Sequence, residues 1–245
     1  MEQCIEQFIE QFRAPHQDTR RVPFVIIHGT AVDAPTTHAI FRGETAYEVS
    51  AHFVIDECGK LTQYVDVANR AWHAGLSYWA GLTDLNSLSI GIELVADVID
   101  NPQGFDAATY TPAQYDALVA LLKPLVLQYK IKPQHILGHQ DIAPTRKTDP
   151  GLQFNWGLLA KAGLGLWHNL DLQAADDQLL PKAAQGQVLQ KLALYGYDVR
   201  DAAAAIKAFQ VHFLPQLVGT AFFGYMTQHT QQVINNLQEQ INEQV

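Results

Sequence analysis

The chain has 245 residues, 48% of them hydrophobic, with two cysteines and a formal charge of -9. That length supplies one domain of ordinary size plus a small one, the acidity excludes the basic footprint that nucleic-acid binding requires, and two cysteines cannot build a disulfide framework. No apolar run reaches the roughly 18 residues of a membrane span, and the N-terminus lacks the basic and apolar blocks of a signal peptide, so no transmembrane segment or secretion address is expected in the chain as given.

Ile5, Phe8, Ile9 and Phe12 recur at helical spacing with Glu2, Glu6 and Glu10 on other faces, predicting a short amphipathic helix over residues 1–12. Its acidic face is unlike that of a membrane-surface helix. Val22 to His28 reads as a first, buried strand, followed by a loop through Pro35 to a capped helix near Thr37. Residues 52–56 and 61–65, joined by Glu57-Cys58-Gly59-Lys60, read as a β-hairpin. A loop carrying Ala71-Trp72-His73-Ala74-Gly75, with Tyr78 and Trp79 close behind, offers aromatic groups of the kind that line ligand clefts. Ser89 to Val95 is a strand whose apolar residues are interrupted only by Gly91 and Glu93. Thr111, Pro112 and Gln114 form a capping-box start to a long helix with Leu118, Leu121, Leu122 and Leu125 on one face and Pro124 as a possible kink. Phe154 to Ala162 reads as a closing helix, residues 168–183 as a linker, and residues 184–245 as a small module of three helices.

The chemistry is concentrated in the loop from Gly138 to Gly151, which holds His139, Asp141, Arg146, Lys147 and Asp149. We read it as half of a metal site whose other half is His28. Each histidine ends an apolar run, where a side chain emerges at a sheet rim, and two histidines plus a carboxylate with a fourth position open is a set that zinc uses in hydrolysis. Asp141 and Asp149 compete for the third place, since Asp141 could equally cap a turn. Most of the ten histidines are structural or solvated: His16, His38, His168 and His229 carry no spacing signal, and His52 reads as a core histidine. Glu93, an acid in an apolar strand, has either a partner, for which Arg42, Arg70 and Arg146 are candidates, or a job.

Five stretches in order carry a resemblance: His28 after its aliphatic strand, Ser50-Ala51-His52-Phe53-Val54-Ile55, Ala71-Trp72-His73-Ala74-Gly75, Ser89-Ile90-Gly91-Ile92-Glu93 and the loop 138–151. Over about residues 22–165 the chain resembles the zinc-dependent N-acetylmuramoyl-L-alanine amidases of the amidase type 2 family, which share a fold with peptidoglycan recognition proteins. Val188-Leu189-Gln190, Leu194-Tyr195-Gly196-Tyr197 and Ala208 to Phe213 resemble a helical peptidoglycan-binding domain. The resemblance implies an α/β fold with a mixed central sheet flanked by helices, a catalytic domain over 1–167, a linker over 168–183 and a wall-binding domain over 184–245. It implies one zinc ion on His28, His139 and Asp149, Glu93 as general base, Lys147 as the cation stabilising the transition state, and a peptidoglycan or muropeptide substrate. Trp72, His73, Tyr78 and Trp79 are expected in the substrate cleft. The alternatives are a recognition protein that binds without cutting and a zinc peptidase acting within the stem peptide. The expected compartment is the cell envelope if a leader has been removed, and the cytoplasm otherwise.

Overall fold

The computed structural model describes residues 22–97, 104 and 108–243. The helix expected over residues 1–12 lies outside them. Among the described residues the strands are β1 (Phe24–Ala31), β2 (Phe53–Ile55), β3 (Leu61–Gln63), β4 (Tyr78–Trp79), β5 (Leu82–Thr83), β6 (Ser89–Asp97) and β7 (Ile136–Gly138). Five form one sheet in the order β3-β2-β6-β1-β7, and β4 pairs with β5 in a separate hairpin. β1 runs parallel to β6 and β7, β2 runs parallel to β6, and β3 returns antiparallel to β2, so the sheet is mixed. The helices are α1 (Ala34–Phe41), α2 (Pro112–Tyr129), α3 (His139–Ile142), α4 (Trp156–Lys161), α5 (Lys182–Tyr195), α6 (Ala202–Phe213) and α7 (Gln228–Glu243).

β1 is buried on both faces, which explains its unbroken apolar run. The period of two sends Val25 and Ile27 to one side, where they join Ile90, Ile92 and Leu94 of β6 and Leu118, Leu122 and Leu125 of α2. Phe24 and Ile26 go to the other side, where they share a core with Leu137, Ile142 and residues of α5, α6 and α7, including Val188, Leu192, Phe209 and Leu237. The C-terminal helices therefore cover one face of the sheet. Leu170, Leu172 and Ala174, within the expected linker, pack against the same core.

Local signals account for most boundaries. Thr111 and Gln114 close the expected capping box at the start of α2, with Gln114 N to Thr111 Oγ1 at 3.2 Å and Thr111 N to Gln114 Oε1 at 2.9 Å. The helix continues through the exposed Pro124. Two expectations need correction. Pro35 lies in the first turn of α1 rather than in a preceding loop: its missing N–H is an orphan there, and Asp33 caps the helix by accepting from Thr36 N at 3.0 Å. β1 also runs past His28, because its pairing with β6 continues through Gly29 opposite Leu94. His28 thus sits within a strand, 2% exposed, instead of at an open rim.

Since the sheet and the C-terminal helices bury a common core, the chain is expected to unfold as one unit. Leu192→Ala, at a fully buried position of α5, should lower the unfolding free energy by about 2–5 kcal/mol. Tryptophan fluorescence and far-UV circular dichroism should report a single shifted transition, whereas two separate transitions would show that the helices fold independently.

Candidate active site

Register builds the site. Ile26 pairs with Gly91, His28 with Glu93, and Ile27 with Gly138, which leads directly into His139. Because Ile90, Ile92 and Leu94 point into the α2 side, Ser89, Gly91 and Glu93 share the opposite face with His28. Asp149 arrives from the loop after α3, held by Gln140 N donating to Asp149 O at 2.9 Å.

His28 Nδ1, His139 Nδ1 and Asp149 Oδ2 converge at 2.9, 3.1 and 3.2 Å from one another. The surrounding hydrogen bonds decide where the protons are. Ser89 Oγ donates to Leu85 O at 2.5 Å, so it accepts from His73 Nε2 at 3.2 Å. His73 Nδ1 is then an acceptor, and His28 Nε2 donates to it at 2.9 Å. His139 Nε2 donates to Ala74 O at 3.1 Å. With each neutral ring's proton on Nε2, both Nδ1 atoms present lone pairs to the Asp149 oxygen. Three acceptors this close, with no proton to share, form a donor set that could hold a metal ion, and the rings are supported from behind as in such sites. Burial, and next the charge of His139, lower the His28 pKa to about 4, which keeps the ring neutral.

Glu93 stands beside this centre without an ion pair among the described residues. Its Oε2 is sealed from solvent and unpartnered among the described residues. The three arginines considered as its partners are engaged elsewhere: Arg42 with Glu44 at 2.8 Å, Arg70 with Asp84 at 2.6 Å, and Arg146 with the carbonyls of Ala74 and Leu76 at 2.8 and 2.7 Å. Burial, then the charge of Asp149, raise the Glu93 pKa to about 8 against the opposing pull of Lys147. Glu93, Lys147 and the three converging residues line one cleft of about 620 Å³.

The remaining expected residues divide. Trp72 is 53% exposed on the rim of the cleft, near Tyr47 and Val49. His73 borders the cleft, but both its nitrogens are committed inward and its ring lies over Gly91, where a Cβ would fall 2.4 Å from it. Tyr78 belongs to a neighbouring depression, with the Arg200 guanidinium 5.8 Å over its ring. Trp79 is a correction: it is 1% exposed and packs edge-on against Tyr195 and Tyr197, because its large apolar surface is better buried than displayed. His52 is the expected core histidine, accepting from Gly91 N and donating to Asn69 O. Ser89 went unnoticed in the sequence, although the alternation that singles out Glu93 places it on the same face.

If His73 sets the His28 tautomer, His73→Phe should weaken divalent-metal affinity by about 10–100-fold, measured by chelator competition. Unchanged affinity in the folded variant would remove His73 from the site.

Residues 18–152 match the family model described as N-acetylmuramoyl-L-alanine amidase, Amidase_2. The chain is 39% identical over 216 residues to the N-acetylmuramoyl-L-alanine amidase AmiD of Escherichia coli, covering 80% of this chain and 76% of that protein. It is 40% identical over 134 residues to the 1,6-anhydro-N-acetylmuramyl-L-alanine amidase AmpD of Citrobacter freundii, covering 55% of this chain and 67% of the other. Among solved structures it superposes on E. coli AmiD in complex with the substrate anhydro-N-acetylmuramic acid-L-Ala-D-gamma-Glu-L-Lys, with a TM-score of 0.79 and 34% identity over 94% of this chain and 93% of that one. AmpDh3 of Pseudomonas aeruginosa gives a TM-score of 0.78 at 31% identity, covering 94% of this chain and 96% of that one. The chain belongs to the amidase type 2 family of N-acetylmuramoyl-L-alanine amidases.

Proposed function

We propose that this chain hydrolyses the amide between N-acetylmuramic acid, or its anhydro form, and the L-alanine of the stem peptide, using zinc held by His28, His139 and Asp149. The observation that carries the reading is the set of three proton-free acceptors beside an unpaired glutamate in one cleft. Zinc in such a site lowers the pKa of water to about 7 and polarises a carbonyl. Glu93 is the base that takes the proton of the attacking water and returns it to the leaving amine. Lys147 lines the same cleft and its charge is felt at Glu93 and His28, so it is the cation that steadies the oxyanion formed as the amide carbonyl is attacked. The ligand loop and His28 set the reacting carbonyl against Glu93, and the exposed rim around Trp72 receives the rest of the substrate.

For residues 184–245 the proposal adds a second task, wall binding, supported by their sequence resemblance, and the proposed compartment is the cell envelope, with the cytoplasm as the alternative. Metal-free full-length chain should sediment with insoluble peptidoglycan even when excess soluble muropeptide fills the cleft. Complete displacement by the soluble fragment would refer all binding to the cleft.

Mass analysis of digested muropeptides tests the reaction itself: release of an intact stem peptide is expected, while a cut within the peptide or no cut at all would reject it. Glu93→Gln should retain zinc and lose about 10²–10⁴-fold in kcat, and near-normal turnover would remove Glu93 from the mechanism. The same variant has a pH signature in metal-free protein. A folded-state pKa of about 8 against the ordinary 4.5 makes the Glu93 contribution to stability complete below about 4.5 and lost as pH rises through 8. Glu93→Gln should remove that decline from the melting profile.

A further inference from the structure

Two residues before the metal ligands' loop turns outward, the buried carboxylate of Asp141 gathers three donors. Asp141 is 0% exposed; Oδ2 accepts from Gly138 N and from His212 Nδ1, and Oδ1 accepts from the Tyr197 hydroxyl, each at 2.7 Å. One donor is the backbone immediately before His139. The other two come from the C-terminal part, Tyr197 just after α5 and His212 on α6.

Neither distant donor is free to wander. The His212 ring lies stacked between Trp156, at 3.9 Å and 16°, and Phe213, at 4.0 Å and 14°. Tyr197 meets Trp79 and Phe209 edge-on at 4.9 and 5.9 Å. Burial, and then the Asp141 charge, push the Tyr197 hydroxyl well above its ordinary pKa, so it remains a donor. What they hold is fragile by itself. α3 spans four residues, too few for a helix to persist without outside support. The same short segment holds the other two ligands, because His139 is its first residue and Gln140 N binds the Asp149 carbonyl. His28, by contrast, is fixed on the central strand. A shift of α3 therefore moves His139 and Asp149 together relative to His28, which opens the gap between them.

We propose that Tyr197 and His212 are positioning residues of the metal site, acting through Asp141 on the segment that carries His139 and Asp149. The C-terminal helices are then part of the apparatus that sets metal affinity, in addition to any task they have at the wall. The inference rests on the metal assignment made above, and its test separates the two.

Zinc affinity is measured on the full-length chain by competition with a chelator, alongside the thermal midpoint. Wild type should hold one zinc and His139→Ala should lose it; a wild type without zinc overturns the metal assignment itself. Given that zinc, Tyr197→Phe and His212→Leu should each weaken its affinity about tenfold or more while the near-UV circular dichroism stays native. His212→Asn, which restores an N–H close to the Nδ1 position, should recover most of the loss. Val233→Ala, a cavity at a fully buried position of α7 outside this hydrogen-bond network, should lower the midpoint without changing affinity. Wild-type affinity in Tyr197→Phe overturns the proposal, even where His212→Leu does not fold. An equal loss in Val233→Ala overturns it too, by showing that affinity follows general stability.

Discussion

Everything around the cleft answers to one electrostatic demand: two imidazole lone pairs and a carboxylate oxygen aimed at the same point. Without a cation this is a repulsive arrangement, and it persists because each ring is anchored from behind by a hydrogen bond of fixed direction. Ser89, His73 and the Ala74 carbonyl all transmit that direction inward from rigid backbone. The parallel pairing of β1 with β6 and β7 then brings His28, Glu93 and the start of α3 to one level of the sheet. The convergence of His28, His139 and Glu93 is a consequence of one register.

Register also explains which parts of the design were legible. His28 and Glu93 stood out because a polar group interrupting an apolar strand is visible in a period of two, and the α2 start was spelled out by Thr111, Pro112 and Gln114. The end of β1 was not visible, since pairing beyond His28 depends on what β6 offers across the sheet. Trp79 was misread because an aromatic residue in a Gly-rich loop looks the same whether it faces a ligand or an α-helix more than a hundred residues away. No local pattern could announce that Tyr197 and His212 meet Asp141, and the resemblance that set Asp141 aside as a ligand left it without partners.

The two faces of the sheet have different duties. The α2 side is a conventional apolar layer of Ile, Leu and Val. On the other face, Phe24 and Ile26 of β1 join a core with the C-terminal helices, while Ser89, Gly91 and Glu93 form a row beside them on β6. Gly91 lies within that row: its missing side chain gives His73 the room to reach back to His28. Polar site and hydrophobic core thus share the rungs of one ladder, Phe24 beside Ser89 and Ile26 beside Gly91.

Asp141 has a consequence for any dissection of the chain. Once a buried carboxylate takes its donors from a neighbouring segment, the two can no longer part without cost to both. A chain cut before the C-terminal helices would give up the Tyr197 and His212 donors and turn the apolar face of Phe24 and Ile26 toward water, so the strand that carries His28 would meet solvent on the side those helices now cover.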